Sequence, residues 1–393
     1  MAVETENDWS AKRRLILRDA LTFLSLALIT AVLFAVTSFL FHSFATHRAE
    51  LAERWAARGR AAIASGHPDQ AIVALRAALS HAPGERSYEL LLAQALADAG
   101  HTEEAYNYFL GLWETQPGNG FINLRLARLA AKKNDMQAVI NYYRGAINGT
   151  WEGDGIVRRR DLRLELARYL IAHHDLSSAR TELLVAGSNA PDDLGLALTL
   201  APLLEQAGAS HDALNDYHKV LAREPNNRQA LEAAGCLEYG SAHFEEAYRL
   251  LERAKPEHDA SAPNQPWPPD LQAMLDTSRQ ILSIEPSKKL PATERVSRIL
   301  RARDLAKKRF DSCNAQVSAE SGLPSSLQNL AAQWMSEEAT INRGALLNDT
   351  TEQDAVMKLV YDTETQTSQI CGAPTGDDAL LLTLAKSPKA AEQ

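Results

Sequence analysis

Eleven histidines, three cysteines and fifty acidic side chains in 393 residues are raw material for metal binding, acid–base work or nucleophilic attack, so their spacing decides what they can do. The chain contains no HExxH, GxSxG, GxxxxGK[ST] or GxGxxG. His67, His81 and His101 fall in predicted turns, and the neighbours His173 and His174 would point in different directions. Glu103-Glu104 and Glu245-Glu246 read as solvated helix surface. Without a positioned acid, base and nucleophile, no catalytic centre, cofactor or metal site is expected. Three cysteines exclude a four-thiolate zinc site and a disulfide-dense mini-domain. Cys313 and Cys371 enclose 57 residues (314–370); in an exported domain a bridge between them would stabilise by a few kcal/mol in the loop-entropy view. Two unrelated buried thiols are the plain alternative.

The other chemistry on offer is charge. On a helix, Arg295, Arg298, Arg301, Lys308 and Arg309 gather on one side, opposite Val296, Ile299, Leu300 and Phe310. Such a face can touch anionic lipid or an acidic partner, or simply be solvated.

Helices must position these groups. Hydrophobic residues make up 45% of the chain and aromatics only 6%, and the Ala- and Leu-rich character favours helix over a β-sandwich. The formal charge of −9 argues against a general nucleic-acid binder. Ala20 to Phe41 is a run of 22 residues without a charge, about 33 Å as a helix, which matches a bilayer core. A cleavable leader is the rival, with Ser43-Phe44-Ala45 resembling a small-x-small site, but its apolar core would span only about 7–15 residues. Lys12, Arg13, Arg14 and Arg18 precede the span, which places the amino terminus in the cytoplasm and the remainder outside. Arg48, Arg54, Arg58 and Arg60 weaken the asymmetry, but they belong to a long domain that translocates regardless of charge.

Beyond the span the sequence repeats itself. Small residues recur at Ala71, Ala105, Ala138, Ala179, Ala213 and Ala247, and at Gly59, Ala93, Ala127, Ala167, Ala201 and Gly235. Four residues after the first series stand Leu75, Phe109, Tyr142, Leu183, Tyr217 and Leu251, and Pro83, Pro117, Pro191 and Pro225 close four units. In this register the chain resembles the tetratricopeptide repeat (TPR) family, whose unit is two antiparallel helices in about 34 residues. The resemblance covers residues 52–261 as about six repeats. It implies that the small residues permit close helix approach, the large ones fill the space between pairs, and stacked units share one core. Unit three reads as one residue short before Ala138, and seven extra residues follow it, so 148–157 is expected to be a surface loop. Pro202 should kink its helix. Ala242 stands where a turn Gly is common and Asp259 where Pro is common, which blurs the end of unit six.

The resemblance also implies a groove lined by the first helix of each unit, with Arg60, Gln94, Arg128 and Arg168 as a polar ladder that could grip a carboxylate or an acidic segment in forked fashion. Solvated arginines are again the plain alternative. Pro202 and Cys236 end the ladder, and Ala56, Arg60, Gln94 and Leu124 do not reproduce the family's Lys/Asn carboxylate clamp. Lack of a CxxC removes the rubredoxin-like module of some membrane-anchored relatives.

The expected organisation is therefore all-α: a tail at 1–18, a transmembrane helix at 19–44, the solenoid at 52–261, a Pro-rich linker and helix at 262–291, a helical cap or domain at 292–386, and a tail at 387–393. Helices are predicted at 270–284, 292–320, 324–347, 352–371 and 377–386. The implied function is a non-catalytic scaffold or adaptor held at a bacterial inner membrane with its carboxy-terminal domain exported. It would bind proteins or peptides, but no nucleic acid, in envelope assembly, secretion or a membrane complex. The alternatives are an accessory or enzymatic protein with a site in 292–386, and a cytoplasm-facing regulator.

Overall fold

The computed structural model describes residues 4–153, 155–190, 192–256, 267–320, 324–340 and 343–387. It is all-α, with eighteen helices and no strand among the described residues. Pro263 and Pro266 of the predicted linker, Asp259, Pro191 and residues 388–393 lie outside those described. Backbone contacts divide the chain into two compact units, Met1–Leu166 and Ala167–Gln393.

In the first unit the helices are α1 (Glu4–Ala64), α2 (Pro68–His81), α3 (Arg86–Asp98), α4 (Thr102–Thr115), α5 (Gly120–Lys132) and α6 (Met136–Asn148); α7 (Gly155–Ala172) straddles the boundary. α1 carries both the apolar run and the first repeat helix, with no break between them. Along the run its apolar side chains are open, with Phe23, Leu24 and Phe34 each more than 70% exposed. From Ala52 and Ala56, which are fully buried, α1 packs on α2. Each later helix packs on the next up to α6. The core runs through Leu75, Leu92, Leu96, Phe109 and Leu126. Gly59 shows why a small residue is needed there, since a Cβ would lie 2.6 Å from the Leu75 side chain. Gly235 stands in the same relation to Leu251 in the second unit, at 2.7 Å.

The turns reveal the repeat more clearly than the side chains do. Left-handed backbone occurs at Gly66, Gly100, Asn134, His174, Gly208 and Ala242, one position in each hairpin. In every case the amide of the next residue donates to a carbonyl five residues earlier, from His67 to Ala62 through His243 to Glu238, at 2.8–3.1 Å. This is the helix-ending arrangement that a left-handed residue makes possible. The interval is 34 throughout except for 40 between Asn134 and His174 (174 − 134). The expected deletion in unit three is thus corrected: the buried positions are Val139 and Tyr143, 34 residues after Ala105 and Phe109, while Ala138 and Tyr142 are only half-buried. The insertion is six residues, not seven.

That insertion, expected as a surface loop, is tied to its neighbours by hydrogen bonds. Thr150 donates to the Gly118 carbonyl (2.8 Å) and accepts from the Gly120 amide (3.0 Å). The Trp151 indole donates to the Ala146 carbonyl (2.8 Å), and Arg159 reaches the carbonyls of Ile147 and Gly149. Gly120 leaves room for the indole, because a Cβ there would lie 2.3 Å from it.

The second unit holds α8 (Leu176–Ser188), α9 (Leu194–Gln206), α10 (Ser210–Arg223), α11 (Arg228–Gly240), α12 (Phe244–Ala254) and α13 (Pro269–Ile284), then α14 (Ala292–Glu320), α15 (Ser325–Thr340), α16 (Arg343–Asn348), α17 (Thr350–Cys371) and α18 (Asp377–Ala385). α9 runs on through Pro202. The predicted 324–347 helix is two, α15 and α16. α14 packs on α17, and α18 packs on both. Their core, with Ile299, Phe310, Trp334, Val356 and Leu381, also takes in Phe244 from the start of α12 and Ile281 from α13. Residues 292–386 therefore share one core with the last repeat hairpin. Trp334 is 1% exposed, and its indole donates to Thr363 (3.1 Å). Cys313 on α14 and Cys371 at the end of α17 form a disulfide, with Cα atoms 5.7 Å apart.

Candidate functional site

The groove positions of the first unit come from equivalent places in α1, α3 and α5. Arg60 is exposed and pairs with Glu53, two turns earlier on α1. The other oxygen of Glu53 accepts the Tyr88 hydroxyl of α3 (2.9 Å). Tyr88 first and Arg60 second hold the Glu53 carboxyl below its usual range. Gln94 is half-buried. Arg128 makes a forked pair with Glu165 of α7, Nε to Oε1 at 2.7 Å and Nη2 to Oε2 at 2.9 Å. The Tyr143 hydroxyl donates to the same carboxylate (2.8 Å). Burial first, then that bond, raises the Tyr143 pKa and keeps the phenol a donor. The structure thus supplies an internal carboxylate for both ladder arginines. Each guanidinium still has N–H groups to spare, because the single Arg60 bond engages one of five and the Arg128 fork two. Arg168, on the part of α7 in the second unit, is exposed.

Sequence reasoning missed Glu53, Glu165 and the two tyrosines. Glu53 was legible as an i,i+7 partner on the face of Arg60. Glu165 lies 37 residues from Arg128, and only its place one turn before Arg168, the next ladder position, hints at the contact.

The second candidate, the basic face of α14, is corrected by the structure. Arg298 is mostly buried, and its Nη1 donates to the carbonyls of Leu282 (2.5 Å) and Glu285 (3.0 Å) at the end of α13. Arg309 donates to the Gly372 carbonyl at the end of α17 (2.5 Å). Arg301 pairs with Asp377 in the first turn of α18 (2.8 Å), and Arg295 donates to Gln353 of α17 (2.8 Å). Helix ends leave carbonyls unsatisfied and carry partial negative charge, so cations belong there. Four of the five basic residues hold neighbouring helices, and the fifth, Lys308, is exposed.

Beside Arg309 lies a buried acidic pair. Glu364 is fully buried, and neither of its oxygens has a hydrogen-bond partner among the described residues. Burial, then Asp378, pushes its pKa up to about 8, against the pull of Arg309. Burial also raises Asp378. Cys236 is half-buried, and burial with nearby carboxylates lifts its thiol to about 11, which suppresses nucleophilicity. Among the described residues no three His, Cys, Asp or Glu side chains converge as metal ligands.

Comparison with known proteins agrees with the repeat geometry. Residues 62–119 match the Tetratricopeptide repeat family. Over 91 residues, 23% of this chain, the sequence is 32% identical to Cellulose synthase 1 operon protein C of Komagataeibacter xylinus; the match spans 7% of that protein's length. Among solved structures, similar folds include YrrB, a TPR protein with an unusual peptide-binding site (17% identity, TM-score 0.36, 47% of this chain and 94% of that one). A tetratricopeptide repeat protein from Parabacteroides merdae is similar at 13% identity and TM-score 0.38, over 64% of this chain and 92% of the other.

Proposed function

We propose that the chain is a non-catalytic scaffold, anchored in a membrane by α1, whose repeats hold protein or peptide partners close to the bilayer. The observation that carries this reading is the continuity of α1. Its apolar run is bare of protein contacts, and the same helix becomes the first helix of the repeats. Ala52 lies eleven helical steps after Phe41, about 16 Å at helical rise, so the first buried repeat residue stands just beyond the headgroups. A rigid junction of that length raises the effective concentration of a captured partner at the membrane surface.

The polar ladder Arg60, Gln94, Arg128 and Arg168 is the proposed contact for acidic partner segments, with Glu53 holding Arg60 through one bond and Glu165 holding Arg128 in a fork. A cytoplasmic amino terminus and an exported remainder fit the four basic residues before the span, and an oxidised Cys313–Cys371 pair fits an exported compartment. The cellulose synthase operon relative supports a role in the bacterial envelope. The test is alkylation of cysteines in intact cells combined with pull-down from membrane extracts. Exported, bridged protein leaves Cys313 and Cys371 unlabelled before reduction, and Arg60→Ala with Arg128→Ala lowers partner capture at unchanged helicity. Free labelling of both cysteines, or undiminished capture, sinks the respective half of the proposal.

A further inference from the structure

A cleft of about 350 Å³ opens outside the repeat groove, within the second unit. Its walls are the α11–α12 turn at Ala242, the α13–α14 connection at 285–289, and side chains of α14, α17 and α18. The volume lies at the small end of the range for ligand sites. Its lining is divided: Ile299, Met357 and Leu384 supply an apolar wall, and Lys288, Lys289 and Arg295 supply cations.

The three cations are not equivalent. Lys289 is paired with Glu245 (2.6 Å) and Lys288 with Asp354 (3.5 Å). Among the described residues Arg295 has only neutral acceptors, with Nε on Gln353 Oε1 (2.8 Å) and Nη1 on the Lys288 carbonyl (3.3 Å). Gln353 is itself 4% exposed and anchored to the Leu346 carbonyl. The guanidinium is therefore oriented by two neutral bonds with no carboxylate bonded to it among the described residues, and Nη2 keeps its donors for a ligand. Tyr361 adds a phenol to the lining, and burial and Glu285 raise its pKa, so it remains a neutral donor.

We propose that this cleft binds a monocarboxylate carried on an apolar body, with Arg295 as the anion partner and Ile299, Met357 and Leu384 receiving the apolar part. A dianion such as phosphate fits less well, because Glu285 and Asp354 also line the cleft and repel a second charge. The ligand chemistry is that of a polypeptide chain end with an apolar last residue, or of a small free organic acid.

Fluorescence anisotropy and calorimetry on the full chain in detergent test this, with three probes: a tetrapeptide ending in leucine with a free carboxylate, its carboxamide, and hexanoate. The free-acid peptide binds saturably, and the carboxamide binds about tenfold or more weakly, as expected for loss of a charged hydrogen-bond partner. Arg295→Gln reproduces that loss with the free acid, and Tyr361→Phe weakens it a few-fold. Asp354→Asn lies at the open rim and leaves the core untouched, so it keeps the test valid if Arg295→Gln fails to fold. It removes a repelling carboxylate and tightens free-acid binding a few-fold. Hexanoate competing as well as the peptide identifies the source as a free acid; competition by the peptide alone identifies a chain end. Equal binding of acid and carboxamide, weaker acid binding by Asp354→Asn, or no saturable binding of either acid overturns the proposal.

Discussion

In the repeats of the first unit the ladder arginines stay at the surface, where Arg60 and Arg128 meet carboxylates on exposed helix faces. In the last five helices of the second unit three arginines turn inward: Arg298 and Arg309 donate to carbonyls at the ends of α13 and α17, and Arg303 makes a buried forked pair with Glu337 (2.8 and 3.0 Å). The difference teaches where stability and recognition reside. A repeat hairpin ends its first helix with its own backbone, through the left-handed turn, so Arg60 and Arg128 are not needed to finish that helix. The terminal helices lack that recurrent turn and use side chains to finish their ends.

If this contrast holds, truncation in either apolar core should cost most and cost alike. Phe109→Ala in the first unit and Phe310→Ala in the second each remove a buried ring, and about 3–5 kcal/mol is expected for either. Urea unfolding of the full chain in detergent measures both. A loss under 1 kcal/mol at one site would show that its core is loosely packed.

The next largest effect separates the regions by pH. Glu364 has a pKa of about 8 when folded against an ordinary value of 4.5. The folded state therefore binds the extra proton between these values, and stability falls as pH rises from about 4.5 to about 8, then levels off. The plateau loss is at most on the order of 5 kcal/mol, at about 1.4 kcal/mol per unit. Glu364→Gln keeps the shape and removes the charge. It should match the parent at pH 5 and exceed it at pH 9, while melting of a Glu53→Gln variant in the repeats shows no such alkaline gain. A pH-independent difference between Glu364→Gln and parent would contradict burial of an unpaired carboxyl.

Arg298→Ala sharpens the contrast in polar terms. It strands the carbonyls of Leu282 and Glu285, for an expected loss of about 2 kcal/mol. Ala242→Gly tests the turns from the other side. Ala242 is an L-residue at φ 58°, where strain costs about 1–2 kcal/mol. Glycine relieves it at some cost in unfolded-state entropy, so a gain of about 1 kcal/mol is expected in thermal melts.

The sequence made the helices and the repeat legible because small and large residues recur at fixed spacing, and each marks a packing constraint. It misled at unit three, where Ala138 and Tyr142 imitate the buried pair one residue early. Only the left-handed Asn134 fixes the register, and asparagine announces a turn less plainly than glycine. The ladder arginines were legible as positions on a face. The partner of Arg128 was not, since Arg128 and Glu165 meet across a turn and an insertion whose geometry no spacing rule encodes. The α14 arginines were read as a surface because helical projection gives the polar side but not whether another helix end lies against it.

The smallest stability effect belongs to the residue with the largest proposed functional one. Arg128 and Glu165 have side chains 47% and 34% exposed, and solvent screens such a pair, so Arg128→Ala should cost no more than about 1 kcal/mol. Losing the fork also takes the Arg128 charge away from Glu165, which keeps its bond from Tyr143, and leaves a carboxylate that Arg128 no longer offsets where an acidic segment would dock. Capture of an acidic partner should therefore fall further with Arg128→Ala than with Arg128→Ala combined with Glu165→Gln, although the single variant is the more native chain. Both binding and melting are measured on the same preparations. If the double variant binds worse than the single one, Glu165 contacts the partner directly and the groove is a mixed-charge surface; if the single variant binds like the parent, recognition does not run through this ladder.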